Sequence, residues 1–194
     1  RDEIVSEFER LENAHSFGPL SDCAKGEFQV TKTNRHAEDG KDAGGGLMSV
    51  LRGGRVFEKV GVNVSTVHGE LGEQAQNAMA ARKVVPGMKE DPRFWASGIS
   101  LVAHMQNPHC PAVHMNTRMF WTPNAWWFGG GTDLNPCIEY EEDTKYFHDT
   151  LKMHLDPHDP NLYSELKIWA DEYFFVPHRD RARGVGGIFM DDRC

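Results

Sequence analysis

Alternating apolar and polar positions predict β-strands through the middle of the chain. Two such runs flank the tetrapeptide Arg52-Gly53-Gly54-Arg55, which predicts a hairpin because glycine supplies the positive φ that such turns require. Residues two apart on a strand share a face, so the second run presents one mostly apolar face. The residues of that face are Val56, Glu58, Val60, Val62 and Val64. This face is either core or a seam between two copies of the chain.

Further strands are predicted for 94–104 and 112–121, with the NPHCP segment as the turn between them. The segment GVGGIFMDD predicts a last strand near the end of the chain. The polar stretch from Thr33 to Gly45 predicts a loop.

Helical spacing marks four segments. Ile4, Phe8 and Leu11 predict a short amphipathic helix at the start, whose other face is acidic and solvated. The segments 71–84 and 141–155 show the same spacing. A fourth helix follows the DPHDP break, and its packing stripe is Leu162, Leu166, Trp169 and Tyr173.

Strands interleaved with helices and joined by hairpins predict an α+β domain with a large, mainly antiparallel sheet. We expect residues 1–194 to form a single domain, with 1–43 as an N-terminal helix and loop and 44–194 as the catalytic sheet with its helices. Because the chain starts without Met and stops directly after a strand, we expect it to be a piece of a longer protein.

Composition narrows the function classes. A formal net charge of −8 argues against a nucleic-acid partner, which needs an excess of Lys and Arg. No apolar run reaches the length that crosses a bilayer, so no transmembrane segment is expected. The four cysteines form no C-x-x-C pair, which favours a reducing compartment such as the cytoplasm.

Polar side chains occur at alternate positions on two strands that otherwise read as buried. If the NPHCP turn pairs these strands, the polar residues converge on one sheet face: Ser100, His104, His114, Asn116 and Arg118. Each residue alone fits a satisfied structural group. Five together indicate a site, because Arg binds carboxylates through its planar fork and imidazole transfers protons near neutral pH.

Asp133 follows three glycines and a Trp-Trp-Phe run, which lets the backbone approach a flat ligand and aims one carboxylate at it. Taken alone, such an Asp is more often a turn cap, so its meaning depends on the neighbouring strands. The string is neither a P-loop nor a dinucleotide fingerprint. The basic cluster Arg179, Arg181 and Arg183 is either a solvated loop or a rim that steers anions.

The histidines raise the question of a metal. His104, His114, His148 and His178 could meet in space, but their separations match no compact metal motif. Phe147 and Leu151 beside His148 favour a packed histidine at that position.

Four strings carry a family resemblance: VFEKVGVNVSTVHGEL, NPHCPAVHMNTRMF, WWFGGGTDLNP and KIWADEYFFVPHRDRARGVGGIFMDD. From about Gly44 to Asp192 the chain resembles oxygen-dependent coproporphyrinogen III oxidase. The family continues well past the last residue of this chain, into a part with a further substrate contact.

The resemblance implies oxidative decarboxylation of two propionates of coproporphyrinogen III by O₂, giving protoporphyrinogen IX, CO₂ and hydrogen peroxide in haem biosynthesis. It implies a homodimer whose subunit is a large antiparallel sheet with helices on both faces. No organic cofactor is implied, while a divalent metal, Mn or Mg, is left open. The compartment is the cytoplasm or, alternatively, the mitochondrial intermembrane space. A non-catalytic tetrapyrrole-binding module and a metal-dependent oxygenase stay open as other functions.

The resemblance also implies roles for individual residues. His114 is the proton donor, Asp133 the carboxylate that engages the pyrrole N–H groups, and Arg118 a propionate ligand. Substrate contacts are Ser100, Asn116, Thr117 and Arg118. The metal ligands of bacterial members match His104, His114, His148 and His178. The dimer contacts match His178 and the strand Val56, Phe57, Glu58, Lys59, Val60, Gly61, Val62, Asn63, Val64 and Ser65.

Overall fold

The structure is a computed structural model that describes residues 1–14, 21–80 and 85–193. Its helices are α1 (Asp2–Asn13), α2 (Glu73–Ala80), α3 (Glu141–Leu155) and α4 (Leu162–Tyr173). Its strands are β1 (Phe28–His36), β2 (Asp42–Arg52), β3 (Phe57–Glu70), β4 (Arg93–Met105), β5 (Ala112–Thr122), β6 (Ala125–Asn135), β7 (Phe175–Val176), β8 (Arg181–Ala182) and β9 (Gly187–Arg193). A short 3₁₀ turn, Pro177–Arg179, lies between β7 and β8.

In the described residues the long strands form one antiparallel sheet of seven, in the order β1-β2-β3-β4-β5-β6-β9. Strands β7 and β8 form a separate small hairpin. The predicted α+β class with a large antiparallel sheet is therefore confirmed. The Arg52–Arg55 turn is confirmed as well, with Gly53 at a φ of +64°.

One sheet face is the main core. Val60 and Val62 of β3 and Leu101 of β4 are buried there, and Phe8 of α1 packs edge-on against Phe57. The core interpretation of the valine face is thus confirmed within a single chain. A β-bulge between Phe57 and Lys59 changes the expected pattern, because it buries Phe57 and leaves Glu58 exposed.

Among the described residues, those that cover the opposite face lie at its margins. At one end, Phe120 and Trp127 stack and pack with Met88 in a second, smaller cluster. At the β9 edge, Phe189 contacts Trp169 and Tyr173 of α4. Helices therefore lie on both faces, as expected, and the middle of this second face stays open.

The expected loop from Thr33 to Gly45 is wrong in part, because β1 continues to His36 and β2 begins at Asp42. Strand β1 is an edge strand whose side chains are nearly all exposed, so it lacks the apolar alternation that marks a strand. Its ladder with β2 holds it through backbone hydrogen bonds. Residues 28–36 and 42–43, which precede residue 44, are consequently part of the sheet.

The acidic face predicted for the first helix is also wrong in part. Glu12 of α1 is fully buried, whereas Leu11 is 38% exposed. The carboxylate of Glu12 accepts hydrogen bonds from the backbone N–H groups of Gly26, Arg55, Val56 and Phe57. This single side chain therefore ties α1 to the turn between β2 and β3.

The remaining helices follow the predicted spacing. Helix α2 begins at Glu73 and is described to Ala80, so the last residues of the predicted segment 71–84 lie outside the described residues. Among the helices that the structure describes, none combines the length and apolar character needed to cross a membrane.

Candidate active site

The predicted polar residues converge on the open face of the sheet. Ser100 of β4 pairs directly with Asn116 of β5, and the neighbouring pairs are Val102 with His114 and Gly98 with Arg118. Since directly opposed residues of antiparallel strands share a face, these side chains form one surface, as the NPHCP turn predicted. We call this surface the polar face.

Small residues keep the centre of the polar face flat. Gly98 lies between Ser65 and Arg118 across the ladder, and Gly131 lies beside Asn116. A Cβ at Gly98 would stand 2.5 Å from the carbonyl oxygen of Thr117, so the strand backbones leave no room for a side chain there. A shallow depression of about 370 Å³ results.

All four predicted substrate contacts, Ser100, Asn116, Thr117 and Arg118, line this depression. Thr117 differs from the others, because it pairs with Ile99 and its side chain belongs to the opposite face. It can offer only its main chain to a ligand on the polar face. Asn63, also on the lining, has a buried Oδ1 with no hydrogen-bond partner among the described residues.

Arg118 lies at one end of the depression and is only partly free. Its Nη2 donates to Oδ2 of Asp191 on β9 at 2.8 Å, while its side chain stays 44% exposed. Asp191 had no role in the sequence interpretation. A single hydrogen bond leaves most of the guanidinium donors available for a second carboxylate.

Asp133 is almost completely covered, with 1% of its surface exposed. Arg183 donates to both of its carboxylate oxygens, from Nε and from Nη2, each at 2.9 Å. Asn135 donates a further hydrogen bond to Oδ2. Of the basic cluster considered from the sequence, Arg183 is therefore ion-paired with Asp133 while its side chain stays 45% exposed, and no local sequence signal distinguished it from Arg179 or Arg181.

His114 borders Asp133 on the polar face. Its Nδ1 accepts a hydrogen bond from Asn135 at 3.2 Å and lies 3.4 Å from Oδ1 of Asp133. The ring of His104 is next to it, with ring centroids 5.7 Å apart. His114 and Arg118 are four positions apart on β5, a distance of about 13 Å. An imidazole beside a carboxylate and a partly exposed guanidinium thus stand at two ends of one flat surface.

Comparison with known proteins decides the family. The family model described as coproporphyrinogen III oxidase matches residues 1–194. The chain belongs to the coproporphyrinogen III oxidase family. The match also takes in the residues before Gly44, which the sequence strings left out.

Three relatives of this chain are named oxygen-dependent coproporphyrinogen-III oxidase. It is 49% identical over 172 residues to the mitochondrial oxygen-dependent coproporphyrinogen-III oxidase of Rattus norvegicus, covering 86% of the chain and 38% of the rat protein. The oxygen-dependent enzyme of Drosophila melanogaster is 44% identical, with 98% of the chain and 47% of the fly protein covered. The enzyme of Rickettsia bellii, strain RML369-C, is also 44% identical, with 98% and 63% covered. This family member thus spans between a third and two thirds of these relatives.

The four histidines considered as metal ligands do not assemble in this family member. His148 uses both ring nitrogens internally, because Nε2 donates to the carbonyl oxygen of Val185 at 2.9 Å and Nδ1 accepts from the hydroxyl of Tyr163 at 3.0 Å. Burial raises the pKa of Tyr163, with Asp171 and Asp149 adding to the shift, which keeps that hydroxyl a donor. Within the described ranges, no three His, Cys, Asp or Glu side chains form a metal-binding group. The side chains present therefore do not fit the implied metal.

Proposed function

We propose that this chain carries the substrate face of an oxygen-dependent coproporphyrinogen III oxidase, and that the complete protein converts coproporphyrinogen III and O₂ to protoporphyrinogen IX in haem biosynthesis. The observation that carries this proposal is the flat polar face, which combines a cationic end at Arg118 with the His114–Asp133 pair in a family member. A flexible tetrapyrrole with carboxylate arms and central N–H donors can lie along such a surface and complements it.

Each role rests on the chemistry of its group. Arg118 binds a propionate, since its fork retains free donors beside Asp191. Ser100 and Asn116 are exposed on the same face and offer hydrogen bonds to the macrocycle or its arms. Asp133 accepts pyrrole N–H donors, which draws electron density into the ring and prepares it to react with O₂. His114, beside Asp133, supplies or removes the proton at the reacting propionate.

Electron balance fits this division of labour without an organic cofactor. When one propionate becomes a vinyl group, its carboxylate leaves as CO₂ and its β-carbon loses a hydrogen with two electrons. O₂ takes up these electrons with two protons and leaves as hydrogen peroxide. The protein contributes orientation, charge and exclusion of water.

We further propose that the complete protein is a homodimer in the cytoplasm. The contact would use His178, exposed in the turn after β7, and the strand from Val56 to Ser65. Because Val60 and Val62 already pack inside one chain, such a contact would draw on the strand's other side chains. The described side chains form no ligand group for a Mn or Mg ion, so no step is assigned to one.

Incubation of the full-length protein with coproporphyrinogen III tests the proposed function. Under air, we expect two CO₂ for each protoporphyrinogen IX, one per vinyl group formed, and under argon neither product. Porphyrin binding without vinyl product under air would instead favour a non-catalytic tetrapyrrole-binding protein. Exhaustive chelation is included as a control, because loss of activity there would favour a metal-dependent oxygenase.

The ion pair between Arg118 and Asp191 predicts a gain-of-affinity variant. Asp191→Asn keeps the side-chain shape and removes the charge that competes with a ligand carboxylate. We expect coproporphyrin III to bind about threefold more tightly, which is the scale of a partly exposed ion pair. Fluorescence titration gives the Kd, with Asp149→Asn on α3 as the charge-matched control. Weaker binding by Asp191→Asn would instead mean that Asp191 holds Arg118 in position.

A further inference from the structure

Asp133 cannot receive a ligand in the arrangement that the structure shows. Arg183 takes both carboxylate oxygens, Asn135 takes one of them again, and 1% of the residue is exposed. A carboxylate has about four acceptor positions, so some capacity remains, but the guanidinium blocks the approach. Whatever reaches Asp133 must first move Arg183.

Arg183 itself is accessible from solvent. Its side chain is 45% exposed, and its guanidinium carbon stands 4.3 Å above the ring centre of Phe174. One side of the guanidinium therefore packs on protein while another faces water. An anion can approach it without entering a closed cavity.

The cost of separating this pair depends on what replaces each partner. If the guanidinium simply left, the carboxylate of Asp133 would remain nearly buried without its cation, which is strongly unfavourable. If a carboxylate of the ligand takes the guanidinium while N–H donors of the same ligand reach Asp133, both charges keep partners. A ligand that lacks carboxylates cannot make this exchange.

We propose that Arg183 is a specificity-determining residue, whose guanidinium passes from Asp133 to a carboxylate of the ligand and thereby uncovers Asp133 for the ligand's N–H groups. The inference rests on the proposed function, since it takes a tetrapyrrole with carboxylate arms as the ligand. It adds a gate to that function, because only a ligand with both kinds of group opens the site.

Binding of two porphyrins to the full-length protein tests the exchange. The probes are coproporphyrin III, with its four carboxylates free, and the same porphyrin with all four capped as neutral hydroxyethyl amides. We expect Arg183→Gln to reduce the preference for the free acid by about tenfold, the scale of one charge-assisted bidentate pair. Much of the change should come from improved binding of the neutral probe, because Asp133 is then uncovered. Arg183→Lys keeps the charge but not the fork, so its preference for the free acid should fall between those of the unmodified protein and Arg183→Gln.

Arg181→Gln is the matched control, because Arg181 is exposed on the same small hairpin and its backbone pairs with Val176. The preference of Arg181→Gln for the free acid over the neutral probe should stay within twofold of that of the unmodified protein. Equal weakening of both probes by Arg183→Gln would reduce Arg183 to a structural role and overturn the inference, as would an unchanged preference. If the unmodified full-length protein binds neither porphyrin, the proposed function fails and the inference fails with it. If it binds both but Arg183 does not affect the preference, the inference alone fails.

Discussion

Replacing Asp133 or His114 with Ala is expected to lower coproporphyrinogen turnover at least about 100-fold, the usual scale for losing a positioned charge or a proton-transfer group. Without Asp133 the pyrrole N–H groups lose their acceptor, and Arg183 loses its partner at the same time. Without His114 the proton at the reacting propionate has no nearby carrier. Product formation by the full-length protein under air, measured by chromatography, gives both rates.

Controls separate chemistry from folding in this experiment. His154→Ala and Asp149→Asn remove the same kinds of group from exposed positions of α3, and they should leave the rate within twofold. Thermal unfolding of each variant checks that the sheet is intact. Near-normal turnover in both Asp133→Ala and His114→Ala would overturn the assigned roles.

The largest effect on stability is expected from Glu12→Gln, which should lower the free energy of unfolding by about 3 kcal/mol. Four backbone N–H groups donate to this buried carboxylate, and an amide presents only one acceptor oxygen to them. The new NH₂ group would also oppose two of those donors. Glu3→Gln, an exposed change on the same helix, should alter stability by less than about 0.5 kcal/mol.

The same residue predicts a dependence on pH. Burial tends to raise the pKa of Glu12, but the four backbone donors together lower the pKa below its ordinary value of 4.5. A carboxyl group with a lowered folded pKa stabilises the native state above its unfolded pKa, and that contribution is lost as pH falls through the folded pKa. The stability difference between the unmodified chain and Glu12→Gln should therefore be full at neutral pH and shrink below about pH 4.5. A difference that stays constant down to pH 2 would contradict this account.

The sheet and its polar face were predictable because a period of two assigns each side chain to a face. Ser100, Asn116 and Arg118 could be placed together once the NPHCP turn paired their strands. The period-two pattern gave the wrong face where a local backbone irregularity interrupted the alternation. A one-residue bulge placed Phe57 in the core instead of Glu58. The edge strand β1 is exposed and has no apolar face, so the apolar pattern could not predict it.

Partners far apart in sequence were not predictable from spacing. Glu12 lies in the first helix, and only the folded chain brings to it three donors from the end of the β2–β3 turn and a fourth from Gly26. Arg183 reaches Asp133 across 50 residues, so nothing local distinguished it from Arg179 or Arg181. In each case a buried carboxylate acquired a partner through the topology of the sheet.

One spectrum tests most directly that the polar face binds the tetrapyrrole. The side-chain amides of Asn63 and Asn116 lie on the polar face. The indole N–H groups of Trp121 and Trp126 lie on the opposite face of the sheet. A porphyrin ring shifts nearby proton signals strongly, so nitrogen–proton NMR with added coproporphyrin III reads both faces at once. We predict large shifts for the two Asn amides and none for the two indoles. Shifts of the indoles with unchanged Asn amides would place the ligand on the other face and contradict the account.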